Sequence, residues 1–207
     1  NIRDNLYKIN AYDFYSYYSS NDLREIPLLT NDDIVIPKIG LYESLKYPVD
    51  ASIPIIAGSN RDEVKFWLAF SKYLVTVQNT VGGSIFSLPK IIIKDKDVYE
   101  AFNFYRSTAW KIRGVDNPLL SMSTAGNENL YSYRYDWDDH RRLVVANFQS
   151  LIGAAHATEI PILTGNYDLV GGYPLSDLIY PPSFSKRYTS KNMMRFWTNF
   201  AKFGVPG

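Results

Sequence analysis

The stretch Ile53-Pro54-Ile55-Ile56-Ala57-Gly58-Ser59-Asn60-Arg61-Asp62-Glu63-Val64 decides the fold. Its first five residues form a continuous apolar run, stopped by Gly58-Ser59-Asn60. A run of that length suits a strand buried on both faces, with Pro54 near the start, where a missing N–H does least harm. Asn60 to Glu63 then lead into Val64, Trp67, Leu68 and Ser71, spaced i, i+3, i+4, i+7. That spacing, behind a polar cap and acids in the first turn, predicts a helix. A strand that turns directly into a helix is the repeating unit of an α/β protein.

The neighbouring sequence keeps the alternation. Asp95 is placed to cap a helix with Val98, Phe102, Tyr105 and Ala109 on one face, and Gly114 supplies its stop. Leu130 to Tyr135 alternates and reads as a second strand. Arg141 to Leu151 is predicted helical, Gly165 to Pro182 a loop. Thr189 or Ser190 is predicted to cap a last helix with Met193, Trp197, Phe200 and Ala201 on one face, ended by Gly204 and Pro206. Upstream, Asn21 to Val49 is polar and punctuated by Pro27, Pro37 and Pro48, so residues 1–50 read as an irregular connecting segment. The fold class is α/β.

Composition narrows the chemistry. The chain has 207 residues and a net charge of +1, which gives no electrostatic reason to expect nucleic acid or an anionic membrane as partner. It contains no cysteine, so disulfides, thiolate nucleophiles and cysteine-held metals are excluded. With only His140 and His156, a histidine metal site has almost no ligands to draw on. No run approaches the ~18 apolar residues of a membrane span. No Asn-x-Ser/Thr acceptor occurs. The cytoplasm or periplasm is therefore favoured over the extracellular space.

Two places carry chemistry. One is the strand-end turn Asn60-Arg61-Asp62-Glu63, because functional side chains in α/β sheets gather beyond the carboxyl ends of strands. Acids there can orient a base or simply favour the helix N-terminus, and residue type alone favours the cap. The other is Gly153-Ala154-Ala155-His156-Ala157-Thr158-Glu159-Ile160-Pro161, where small residues let backbone pack closely around one histidine. His156 can be a general base or a hydrogen-bonded structural histidine. His140 lies in the charge cluster Asp136-Trp137-Asp138-Asp139-His140-Arg141-Arg142, which reads as a solvated helix start with no catalytic role. Beside the acids, Phe66, Trp67, Phe70 and Tyr73 line either an acyl or alcohol pocket or ordinary core.

Together, the segments Ile55 to Glu63 and Gly153 to Pro161 resemble the type-B carboxylesterase family, the cholinesterase-like branch of the α/β-hydrolases. Met193-Met194-Arg195-Phe196-Trp197-Thr198-Asn199-Phe200-Ala201-Lys202-Phe203-Gly204 resembles that family's last helix. The three matches come in the family's order, from about residue 50 to the end. The resemblance implies a Ser, acid, His triad with Glu63 as the acid and His156 as the base. Glu159 matches a second acid of the histidine loop and is implied to be a buried supporting group. Asp62 would serve the helix N-terminus or pair with Arg61. The sequence departs from the family at Val64 and Ala157, where many relatives have glycine.

The larger departure is that the 207 residues contain no Gly-x-Ser-x-Gly and no His-Gly-Gly-Gly-type segment. Gly82-Gly83 and Gly171-Gly172 lack the required context. In the family, nucleophile and oxyanion hole lie in the N-terminal half. The expectation is thus the C-terminal portion of a single α/β-hydrolase domain. In it, 51–165 run from the acid-bearing strand to the histidine loop, and 166–207 hold a loop and the C-terminal helix. The implied partners are the N-terminal half of the same enzyme and a small ester, and no cofactor or metal is required. Two alternatives stand. A non-catalytic cholinesterase-like adhesion module would share the fold without the nucleophile, and an unrelated binding domain would make the matches coincidental.

Overall fold

The structure is a computed structural model that describes residues 2–20, 33–47, 52–79 and 89–207. It divides into two units, Asn1–Ser44 and Leu45–Gly207. The first carries short helices α1 (Ile2–Leu6), α2 (Ala11–Ser20) and α3 (Leu41–Ser44), where the sequence predicts only irregular chain. Asn10 accepts from the Asp13 amide at 2.9 Å at the head of α2, a local cap inside a polar sequence. Of the proline-punctuated stretch, residues 21–32 and 48–51 lie outside the described residues, as do Gly82 and Gly83.

In the second unit β1 (Ile55–Asn60) leads through a tight turn to α4 (Lys65–Ala69). An antiparallel pair follows, β2 (Val75–Asn79) with β3 (Pro89–Ile93), which the sequence reading missed. Its signal was the alternation in Val75-Thr76-Val77-Gln78 and the β-branched run Ile91-Ile92-Ile93. Asp95 caps α5 (Lys96–Lys111) as expected, its carboxylate accepting from the Val98 amide at 3.0 Å. Gly114 does not stop that helix. A π-helical turn, Ile112–Asp116, carries it into α6 (Asn117–Thr124), where Pro118 sits in the first turn and needs no N–H partner. The chain returns as β4 (Leu130–Tyr135), parallel to β1 with Ile55 opposite Leu130 and Asn60 opposite Tyr135. A strand, a crossover and a parallel strand make the unit an α/β fold.

The predicted helix Arg141–Leu151 is mostly not helical. Arg142 bridges Asn147 as antiparallel strand, and Asn147 then caps the short α7 (Phe148–Ile152) by accepting from the Ser150 amide at 3.0 Å. β-Branched Val144 and Val145 suit that extended turn better than a helix. After α8 (Glu159–Thr164), the predicted loop contains a short 3₁₀ turn, Tyr167–Val170, and α9 (Leu175–Ile179). The last helix, α10 (Phe184–Phe203), starts earlier than expected because Ser183, just after Pro181-Pro182, is its cap, accepting from the Lys186 amide at 3.1 Å. Gly204 ends it in the left-handed conformation, φ 72°. Tyr131, Tyr133 and Tyr135 alternate on one face of β4. Tyr133 meets Trp197 edge to face at 4.7 Å and Tyr131 meets Phe200 at 5.9 Å, so α10 packs on that face. Gly58, opposite Tyr133, is required there because a Cβ would strike the tyrosine ring.

The face of α5 is the reverse of the sequence expectation. Val98, Phe102 and Tyr105 are exposed, while Tyr99, Asn103 and Ser107 are buried. The reason is polar. Tyr99 donates its hydroxyl to Leu151 O at 2.7 Å, and Asn103 donates to Asp62 Oδ1 at 2.6 Å. This stripe completes the turn after β1, and a buried carboxylate needs such donors more than the aromatic face needs cover.

Candidate active site

β1 and β4 are adjacent and parallel, so the segments that follow them emerge at the same end of the sheet. Glu63 sits three residues beyond β1 and is buried. Its Oε1 accepts from the Asn60 amide at 2.7 Å, which aims Oε2 outward. Oε2 lies 3.0 Å from His156 Nδ1, and the His156 amide donates to the Glu63 carbonyl at 3.1 Å. The imidazole is thus tied to one residue through side chain and backbone. It remains 45% exposed. A carboxylate on Nδ1 fixes a proton there and leaves Nε2 as the acceptor, the arrangement a general base requires.

Asp62 points the other way. It is buried, and Oδ2 accepts from Arg61 at 2.8 Å and from the Ala154 amide at 2.9 Å, while Oδ1 accepts from Asn103. The Asp62 amide donates to Ala154 O at 3.0 Å, so the acid turn and the histidine loop grip each other twice at this point. Burial alone would raise the Asp62 pKa. The charge of Lys65 and the bonds and charge of Arg61 outweigh it and hold the carboxyl below its ordinary value. Neither acid caps α4, whose N-cap Val64 has no side-chain bond, so the cap reading that residue type favoured is corrected. Asp62 is also more than a partner for Arg61.

The loop around His156 is shaped by small residues. Gly153 has φ 56° and ψ −155°, a region open essentially to glycine, and a Cβ there would strike the Asp62 carboxylate. Ala154 and Ala155 are fully buried. Asn60 donates from Nδ2 to Ala155 O at 2.7 Å and also to Glu159 Oε2. Glu159 is half-buried, and its charge, after burial, helps raise the pKa of Tyr133. The two departures from the family differ in consequence. Val64 has ordinary right-handed angles, but Ala157 lies at φ 67°, where glycine would be free of strain.

Of the aromatic residues proposed for a pocket, Trp67 stacks on His156 with ring centres 5.4 Å apart. Phe66 meets Phe70 edge to face at 5.1 Å, and Phe70 and Tyr73 are 75% and 80% exposed. Trp110 is the residue that sequence reasoning missed. Its ring lies 5.2 Å from His156 and 6.1 Å from Trp67. The signal was the spacing Tyr99, Asn103, Ser107, Trp110, a helical stripe hidden by its polar members. His140 is likewise misread as solvated. It is 3% exposed, with Nε2 2.8 Å from Gly153 O and Nδ1 against Ile179 O. Among the described residues, no group of three or more His, Asp or Glu could hold a metal ion. No helix among them is long and apolar enough to cross a membrane.

No family model and no curated protein matches the chain. Among solved structures, a PNB (para-nitrobenzyl) esterase matches 99% of the chain with a TM-score of 0.55 and 18% sequence identity. The fold is esterase-like. The match covers 42% of that esterase, so the chain spans less than half the length of the protein it resembles. At this identity the likeness concerns the fold, and the chemistry rests on the residues.

Proposed function

We propose that the chain is the C-terminal portion of a carboxylic-ester hydrolase of the type-B carboxylesterase kind, supplying the acid and the histidine of a Ser-Glu-His triad. The observation that carries this reading is the 3.0 Å contact between His156 Nδ1 and Glu63 Oε2, on the segments that follow two adjacent parallel strands. In the reaction, a serine from the N-terminal half attacks the ester carbonyl as His156 Nε2 takes its proton. The same nitrogen returns the proton to the leaving alcohol, then activates water for deacylation. Glu63 holds the tautomer and stabilises the imidazolium. Oxyanion donors, like the serine, come from outside these 207 residues. Trp67, with Phe66, Phe70 and Tyr73 on the same turn and helix, lines the ester pocket. Asp62 and Glu159 are supporting groups that brace the turn and the loop.

The reading of a non-catalytic binding module with the same fold is less well supported. Such a module has no use for an imidazole whose one nitrogen is fixed by a buried carboxylate while the ring stays open to solvent. Fluorophosphonate labelling of the complete protein, mapped by mass spectrometry, separates the two. An enzyme is labelled at one serine outside residues 1–207, and His156→Asn slows labelling at least a hundredfold. No labelled serine, or labelling indifferent to His156, would mean a binding module.

A further inference from the structure

The peptide unit joining Gly153 to Ala154 is held from both sides. Its N–H donates to Asp62 Oδ2 at 2.9 Å. Its C=O faces His140 Nε2 at 2.8 Å. The two grips come from different parts of the chain, the turn after β1 and the segment after β4. The acid turn holds the rest of the loop through Asn60 on Ala155 O and Glu63 O on the His156 amide. His140 thus grips the Gly153 end of this stretch from outside the acid turn, as the Tyr135 and Tyr180 hydroxyls, donating to Thr158 O at 3.2 and 3.0 Å, grip its other end. The ring is itself fixed. Trp137 meets the ring edge to face at 5.2 Å, and the Arg141 amide donates to Leu178 O at 2.9 Å. Both ring nitrogens face carbonyl oxygens, Nδ1 that of Ile179 and Nε2 that of Gly153, and a neutral imidazole donates to one of the two. Gly153 lacks a side chain that could restrict its backbone, so this peptide can tilt about its Asp62 bond unless the carbonyl is also held. His156 lies two residues further on.

We propose that His140 is a positioning residue: it donates from Nε2 to the Gly153 carbonyl and so sets the orientation of the loop that carries His156. This rests on the esterase reading above. A displacement of about 1 Å in a catalytic group can cost on the order of a hundredfold in rate, so the effect belongs in kcat rather than in substrate binding.

The test uses three variants of the complete protein on a chromogenic short-chain ester, each checked by thermal melt. Glutamine places a donor near the position of Nε2, asparagine near that of Nδ1. His140→Ala is expected to lower kcat about 10- to 100-fold with KM within about threefold. His140→Gln should recover kcat to within about threefold of the parent protein, and His140→Asn should not. Equal activity of the glutamine and asparagine variants, or undiminished kcat in His140→Ala, overturns the proposal. So does failure of both the glutamine and asparagine variants to fold, which would make His140 a stability residue alone. If the parent protein hydrolyses no ester, the esterase reading has failed, and amide exchange at Ala154 and His156 decides the matter. Exchange should be faster in the alanine and asparagine variants and unchanged in the glutamine variant. No acceleration in any of them overturns it.

Discussion

Asp62 and Glu63 are neighbours in sequence that the turn sends to different tasks. The sequence made both acids visible, and the resemblance singled out the second. It could not show that Asp62 is a buried hub, because its partners Asn103 and Ala154 lie some 40 and 90 residues away. The lowered pKa of Asp62 gives a signed prediction. Its folded value lies below the unfolded value of about 3.9, so the charged group stabilises the fold above that pH. The stabilisation is lost as pH falls through the folded value. Melting temperature measured from pH 6 downward should fall on the acid side in the parent protein and fall less in Asp62→Asn. The substitution itself should cost roughly 2–3 kcal/mol at neutral pH, since a buried carboxylate with several donors is replaced by a neutral amide. At Ala157, φ 67° implies strain that Ala157→Gly relieves. A gain of up to about 1 kcal/mol by chemical denaturation is expected, and a loss would mean the left-handed angle is not strained.

At the scale of elements, what a local signal announces was legible and what distant contacts decide was not. The apolar run from Ile53 and the cap Asp95 announced β1 and α5 because each signal is local. The continuation of α5 past Gly114 depends on the π-helical turn and on α6 beyond it. Its buried face depends on the needs of Asp62. Neither can be read from helical spacing alone, which pointed to the aromatic side. The histidine loop was legible as a string of small residues, and the structure supplies the reason for one of them. Gly153→Ala places a methyl group against the Asp62 carboxylate at backbone angles alanine avoids. It should destabilise by about 2 kcal/mol or more and lower kcat with it. Wild-type stability and turnover in that variant would show that the loop adjusts freely.

For the whole molecule, the chain spans 42% of the esterase it resembles, and its second unit leaves Phe102, Phe104 and Tyr105 exposed on α5, and Phe70 exposed where α4 ends. An apolar surface of this kind normally meets a partner. Expressed alone, the chain should bind a hydrophobic dye, associate in solution and hydrolyse no short-chain ester. Adding the N-terminal half should reverse all three. A monodisperse chain with esterase activity would overturn the division of the triad. The acid–histidine pair is the centre of the account, and one comparison tests it most directly: kcat of Glu63→Gln against Asp62→Asn in the complete protein, with both variants shown to be folded. Glutamine at position 63 can donate where the imidazole needs an acceptor, so a loss of about 10³–10⁴-fold is expected, by analogy with other serine hydrolase triads. Asp62→Asn should stay within about tenfold of the parent, a barrier change under roughly 1.4 kcal/mol. If Asp62→Asn abolishes turnover while Glu63→Gln remains active, or if neither substitution matters, Glu63 and His156 are not the working pair.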